Sequence, residues 1–178
     1  DKWRKMGSPQ TKSQKYFVNK FFEPLYFYKA YKRGYTAGLS TFSLHPVTID
    51  GLGTFSSAEG AINALKNPEC KEYVDMQIGA VTPVASKYFG LVCNIRNDWD
   101  EVRDGLMYQV LDLKFRQNDD ARENLLNTGL RPIFYHASKD SYWGDGDGKG
   151  ENVLGSLLTR VRNKLYSELK VEKICDGS

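Results

Sequence analysis

Glu59, Asn63 and Lys66 stand at i, i+4 and i+7. On a helix this spacing puts a carboxylate, an amide and an amine along one stripe, while Ala58, Ala61, Ile62 and Leu65 take the other side. A carboxyl group beside an amine offers proton transfer to a reacting centre, and a neutral amine offers a nucleophile. The bland reading of the same residues is that Glu59 closes a capping box opened by Ser56 and that the stripe is solvated. A second constellation runs Tyr142-Trp143-Gly144-Asp145-Gly146-Asp147-Gly148-Lys149-Gly150-Glu151-Asn152. Glycines let backbone N–H groups approach a ligand, and the helix N-terminus that follows favours phosphate. Trp143 beside Asp145 suits ring stacking joined to acid–base chemistry. The loop is not a P-loop, since no Lys-Ser/Thr pair follows its last glycine, nor a calcium loop, since Lys149 takes a ligand position. Its bland reading is a turn whose Asp and Asn side chains cap a helix.

These residues need elements to hold them. Ser56-Ser57-Ala58-Glu59 opens a helix to about Lys66, and Asn67-Pro68 stops it. Asp98 precedes a second helix with Trp99, Val102, Leu106, Val110 and Leu113 at three- and four-residue steps. A short helix over 119–126 follows, ending at Thr128-Gly129. The last helix carries the stripe Leu154, Leu157, Leu158, Val161 and Leu165, with Arg160, Arg162 and Lys164 toward its C-terminal half. Short strands are expected at 46–49, 90–93 and 133–135. The fold class is therefore mainly α with small β elements, an α+β single domain.

Composition narrows the function. A chain of 178 residues with 40% hydrophobic content supports one core without staples. Cys70, Cys93 and Cys175 are odd in number, scattered and without C-x-x-C spacing, which fits a reducing compartment, cytoplasmic or nuclear. With only His45 and His136 available, no metal site is expected. No apolar run approaches the roughly 18–20 residues that span a bilayer, so no membrane contact is expected. The net charge of +3 falls short of a dedicated nucleic-acid binder. Residues 1–15 read as a flexible basic lead, and 16–178 as the functional domain. Lys29, Lys32 and Arg33 alternate with Tyr26, Tyr28 and Tyr31, an interleaving that can bind phosphates while rings stack on bases, or can simply be a solvated surface.

Read in order, the segments resemble the NADAR (YbiA-like) superfamily of N-glycosidases. Leu39-Ser40-Thr41-Phe42, then Pro46 and Ile49-Asp50-Gly51, is similar to the family's L-S-N-F…P…D-G. Ser57-Ala58-Glu59 with Ala64-Leu65-Lys66 is similar to its S-x-E-x-x-x-x-A-x-K helix. Trp99 through Val102-Arg103, Met107, Leu111, Lys114-Phe115 and Gln117-Asn118 continues the match. Asp140, Trp143-Gly144, Gly146, Gly150, Asn152, Leu154 and Gly155 resemble D-x-x-W-G-x-G…G-x-N-x-L-G, the most specific block. Thr41 replaces the family Asn, Gly60 a common His, and Asn63 a usual Gln.

The resemblance implies hydrolysis of a sugar–nitrogen bond without a cofactor or metal. The implied substrate is an ADP-ribose-type or other nucleotide-derived molecule: ADP-ribose on guanine, with contact to ADP-ribosylated DNA or RNA, or else a phosphorylated riboflavin-pathway intermediate. A non-catalytic ADP-ribose or NAD-binding module is the reading from another class. Glu59, Lys66 and Asp145 are the implied catalytic residues. Thr41, Phe42, Asn63, Trp99, Trp143, Gly144, Gly146, Gly150 and Asn152 are the implied substrate contacts, the tryptophans stacking on a base and Asn152 with the glycines holding ribose or phosphates. Lys66 has two roles open to it, an amine that forms a Schiff base with an opened ribose or an ammonium that pairs with Glu59 or a phosphate.

Overall fold

The computed structural model describes residues 22–28, 36 and 38–175. The basic lead at 1–15, with Lys29, Tyr31, Lys32 and Arg33, lies outside them. In chain order the described elements are β1 (Leu25–Phe27), β2 (Val47–Ile49), β3 (Gly53–Phe55), α1 (Ala58–Ala64), α2 (Lys71–Ile78), α3 (Pro83–Leu91), α4 (Trp99–Gln117), α5 (Asp119–Leu126), β4 (Ile133–Tyr135), a 3₁₀ turn (Gly146–Gly148) and α6 (Val153–Cys175). This is the expected α+β class.

Two long helices make the frame. Leu154, Leu157, Leu158, Val161 and Leu165 of α6 are all buried, as their spacing requires, and each such side chain contributes about 1.5–3 kcal/mol on leaving water. α4 lies against α6 and is also packed by α1, α5 and β2. Enclosed on several sides, it buries Met107, Val110, Leu111, Lys114 and Phe115, a face rotated from the expected stripe, in which Leu106 and Leu113 only edge the core. Arg162 is also buried, its guanidinium donating to Thr128 Oγ1 and Arg131 O at 2.8 Å each.

The β structure is small. β1 pairs with β4 in parallel, Leu25 opposite Ile133, and β2 pairs with β3 as an antiparallel hairpin, Val47 opposite Phe55. The strands at 47–49 and 133–135 follow the sequence reading. The strand expected at 90–93 does not form, because Gly90 and Leu91 complete α3. Helices α2 and α3 were not anticipated. α3 nonetheless carries a clear start: Thr82 Oγ1 accepts from Ala85 N at 3.2 Å, and Pro83 sits where no intrahelical donor is missed. α3 packs on α1, and the contact is tight at Gly90, where a Cβ would come within 2.3 Å of Asn63 Oδ1.

Candidate active site

Helix α1 begins one residue later than the capping-box reading requires. Ser57 is the N-cap, its Oγ accepting from Gly60 N at 3.3 Å. Ser56 Oγ donates instead to Ala80 O at 2.7 Å. Glu59 therefore has no capping duty. Its carboxylate turns to the tertiary structure, where Oε2 accepts from Thr41 Oγ1 at 2.9 Å and Oε1 from Asn63 Nδ2 at 3.3 Å. Burial pushes the Glu59 carboxyl above its ordinary range, against the hydrogen bond from Thr41, the charge of Lys87, the Asn63 amide and the charge of Lys66.

Thr41 and Phe42 reach the site on a loop that α4 holds from beneath. Lys114 is fully buried, and its Nζ donates to Gly38 O at 2.5 Å, Ser40 O at 2.7 Å and Ser43 Oγ at 2.7 Å. Three donors meet three acceptors, which is how a lysine head group is accommodated away from water. The Lys-Phe of the sequence motif is thus the support of the Thr41 loop.

Above Glu59 opens a cavity of about 200 Å³. Thr41, Phe42, Glu59, Asn63, Lys66, Trp99 and Trp143 all line it, so seven of the residues singled out in the sequence are brought together. Lys66 Nζ donates to Gly90 O at 3.5 Å and lies 5.8 Å from the centre of the Trp99 ring. Trp143 is fixed through its backbone N–H, which donates to Asp140 Oδ1 at 2.8 Å, and through edge-on contact with Tyr142 at 5.1 Å.

Asp145, Gly144, Gly146, Gly150 and Asn152 do not line this cavity. The expectation that they face it is corrected by the way their loop folds. Asp145 is buried, with Oδ2 2.9 Å from His136 Nδ1 and Oδ1 accepting from Ala137 N at 3.3 Å; it raises the imidazole pKa of His136 by hydrogen bonding and charge. The glycines face their own loop, where a Cβ on Gly150 would come within 2.5 Å of Gly144 O. Asn152 adopts a left-handed backbone, φ 51°, and its amide bridges β4, Oδ1 accepting from Tyr135 N and Nδ2 donating to Ile133 O, both at 2.9 Å.

The cavity also has walls that the sequence reading missed. Lys87 and Leu91 come from α3, Tyr135 from β4, and Asp140 from the loop before Trp143. Burial, with the charge of Asp140 nearby, pushes the Tyr135 phenol up to about 12, so it remains a neutral hydrogen-bonding group at ordinary pH. The 84/87/88/91 spacing after Thr82-Pro83 was a legible signal for the α3 residues. Asp140 stood in the motif, but its neighbour Asp145 drew the assignment. Among the described residues, no group of three or more His, Cys, Asp or Glu is placed to hold a metal ion, and no helix is long and apolar enough to cross a membrane.

The frame that holds this cavity, with Glu59, its lysines and its tryptophans, lies within a domain shared with known proteins. Residues 26–166 match the NADAR domain family, and the chain belongs to it. It is 32% identical over 132 residues to N-glycosidase YbiA of Escherichia coli, covering 72% of this chain and 81% of that protein. A riboflavin biosynthesis protein of Vibrio vulnificus is 42% identical over 71 residues, 39% of this chain and 19% of its own. The NMR structure of Escherichia coli YbiA has a TM-score of 0.69 and 27% identity, over 83% of this chain and 88% of that one.

Proposed function

We propose that this chain is an N-glycosidase that removes ADP-ribose from guanine, reversing ADP-ribosylation of a nucleotide, DNA or RNA. The observation that carries this reading is the placement of Glu59, held by Thr41 and Asn63 on the floor of a cavity that also contains Lys66. The N-glycosidase named among its relatives supports the reaction class.

The residues divide the work as follows. A sugar–nitrogen bond breaks when the anomeric carbon accepts a nucleophile and the leaving nitrogen accepts a proton. Glu59, its carboxyl raised by burial, carries that proton. The Lys66 amine bonds to the anomeric carbon as its bond to the base breaks. The attacking nitrogen then returns a proton to the Glu59 carboxylate, and its lone pair expels the ring oxygen, which takes that proton as the ribose opens to the imine. Water then adds to the resulting imine, releasing the sugar as aldehyde and returning the amine. Among the described residues Lys66 forms no ion pair with a carboxylate, and Lys87 lines the same cavity. Trp99 and Trp143 flank the base. Asp145 and Asn152 act as positioning residues that fix the loop bearing Trp143 and the strand bearing Tyr135.

Mass spectrometry of the products from guanine-linked ADP-ribose tests this reading. Release of unmodified guanine base together with ADP-ribose is expected. Turnover only of a phosphorylated riboflavin-pathway intermediate would move the assignment to the alternative substrate, which the likeness to the Vibrio vulnificus protein supports. Binding with no product from either substrate would make the chain a non-catalytic module.

A further inference from the structure

We infer that the outer face of α3 forms a second subsite, which holds the distal purine ring of the substrate across a diphosphate from the sugar being cleaved. The inference rests on the glycosidase reading for the identity of that sugar, but its geometry stands apart from it. Beside the Glu59 cavity lies a trough of about 260 Å³ lined by Phe42, Val84, Lys87, Tyr88 and Leu91. Phe42, Lys87 and Leu91 also line the first cavity, so the two share walls and form one continuous surface.

Helix spacing explains the continuity. Residues 84, 87, 88 and 91 are at i, i+3, i+4 and i+7 and share one face of α3. Lys87 and Leu91 border the cavity, while Val84 and Tyr88 extend the face beyond it. This face is unusually apolar for a surface: Tyr88 is 66% exposed and Leu91 70% exposed. Phe42 supplies a second ring to the same trough. Together they offer a planar group two aromatic contacts and an aliphatic floor.

Lys87 fixes the kind of molecule that fits. It is the cation common to both spaces, lying 5.7 Å from the centre of the Phe42 ring, and among the described residues it forms no ion pair. An anionic group passing from cavity to trough meets it there. The first cavity alone, at about 200 Å³, is smaller than the roughly 300–1,000 Å³ common for small-molecule sites. A substrate with sugar, diphosphate and second ring in line uses both spaces; a monophosphate with one ring leaves the trough empty.

Calorimetric titration of ADP-ribose and of ribose 5-phosphate into the wild type, Tyr88→Ala and Tyr88→Phe tests the subsite. The wild type should bind ADP-ribose at least tenfold more tightly than ribose 5-phosphate, as stacking of one base supplies. Tyr88→Ala should lose most of that advantage with ribose 5-phosphate binding unchanged, and Tyr88→Phe should keep it. Tyr88 is exposed, so neither change disturbs the core. No advantage in the wild type, or one that survives Tyr88→Ala, overturns the subsite. Failure of the glycosidase reading would appear separately, as absent turnover by a wild type whose ring-dependent binding persists.

Discussion

Thr41 and Glu59, 18 residues apart in sequence, bind each other in both directions: Thr41 Oγ1 donates to Glu59 Oε2 at 2.9 Å, and Glu59 N donates to Thr41 O at 3.0 Å. The second bond uses one of the orphan donors at the start of α1, so the loop and the helix terminus are locked together by the residue whose carboxyl lines the cavity.

Glu59→Gln should remove turnover while raising stability near pH 7. The folded carboxyl titrates above its unfolded value of 4.5. Between those two values the folded state holds the extra proton, so the wild type loses stability as pH rises through that window. A glutamine has no such loss, and it can accept from Asn63 and donate to Thr41. A higher melting temperature than the wild type's is expected at pH 7, and the difference should vanish near pH 4. Normal turnover in the folded variant would remove Glu59 from the chemistry.

Thr41→Val should shift the pH profile rather than abolish activity. The Thr41 hydroxyl lowers the Glu59 pKa, so its loss lets the carboxyl rise further. If Glu59 delivers the proton, the alkaline limb of kcat/KM moves to higher pH. An unmoved limb would show that the hydroxyl does not tune the proton donor.

Borohydride added during turnover should trap a ribose adduct on Lys66, located by peptide mass spectrometry. Lys66→Arg should prevent both the adduct and most of the turnover, because guanidinium keeps the charge but is no nucleophile. No adduct, with Lys66→Arg active, would leave Lys66 an electrostatic residue.

How much of this was legible depended on where the information resides. The stripe of α6 and the Glu59/Asn63 pair of α1 are local patterns, and both hold; Lys66 joins the same cavity from the turn after α1, which ends at Ala64. Lys114 was visible as part of a motif, but its burial depends on carbonyls more than seventy residues away, which no periodicity reveals. Asp145 looked catalytic because a carboxylate beside a tryptophan in a glycine loop is a chemical pattern. The direction in which it points is set by His136 and the Ala137 amide, on the chain after β4. The start of α3 was written in Thr82-Pro83 and was outweighed by the β-like run Leu91-Val92-Cys93.

Asp145→Asn should lower stability more at pH 5.5 than at pH 8. His136 has a folded pKa raised above its unfolded value. The stability that it gains from Asp145 is therefore full below the unfolded pKa and fades as pH rises through the folded one. Chemical denaturation at the two pH values measures the difference. Residual turnover is expected, since this carboxylate does not line the cavity; complete loss in a folded variant would contradict that.

Lys114→Met should destabilise the protein by about 3–5 kcal/mol, because it leaves buried acceptors unpaired. The loop bearing Thr41 should loosen with it, and hydrogen exchange at residues 38–43 would report this. Exchange unchanged there would show that the loop is held by other contacts.

The Asn152 bridge also bears on how this protein behaves at high concentration. A strand edge with free N–H and C=O groups invites a strand from another molecule. β4 gives one edge to β1; on the other, Asn152 takes Tyr135 N and Ile133 O, and Asp145 N donates to Tyr135 O at 2.9 Å. A side chain and a loop amide thus occupy the place of a third strand, closing that edge to runaway sheet extension and to amyloid-type self-templating from β4.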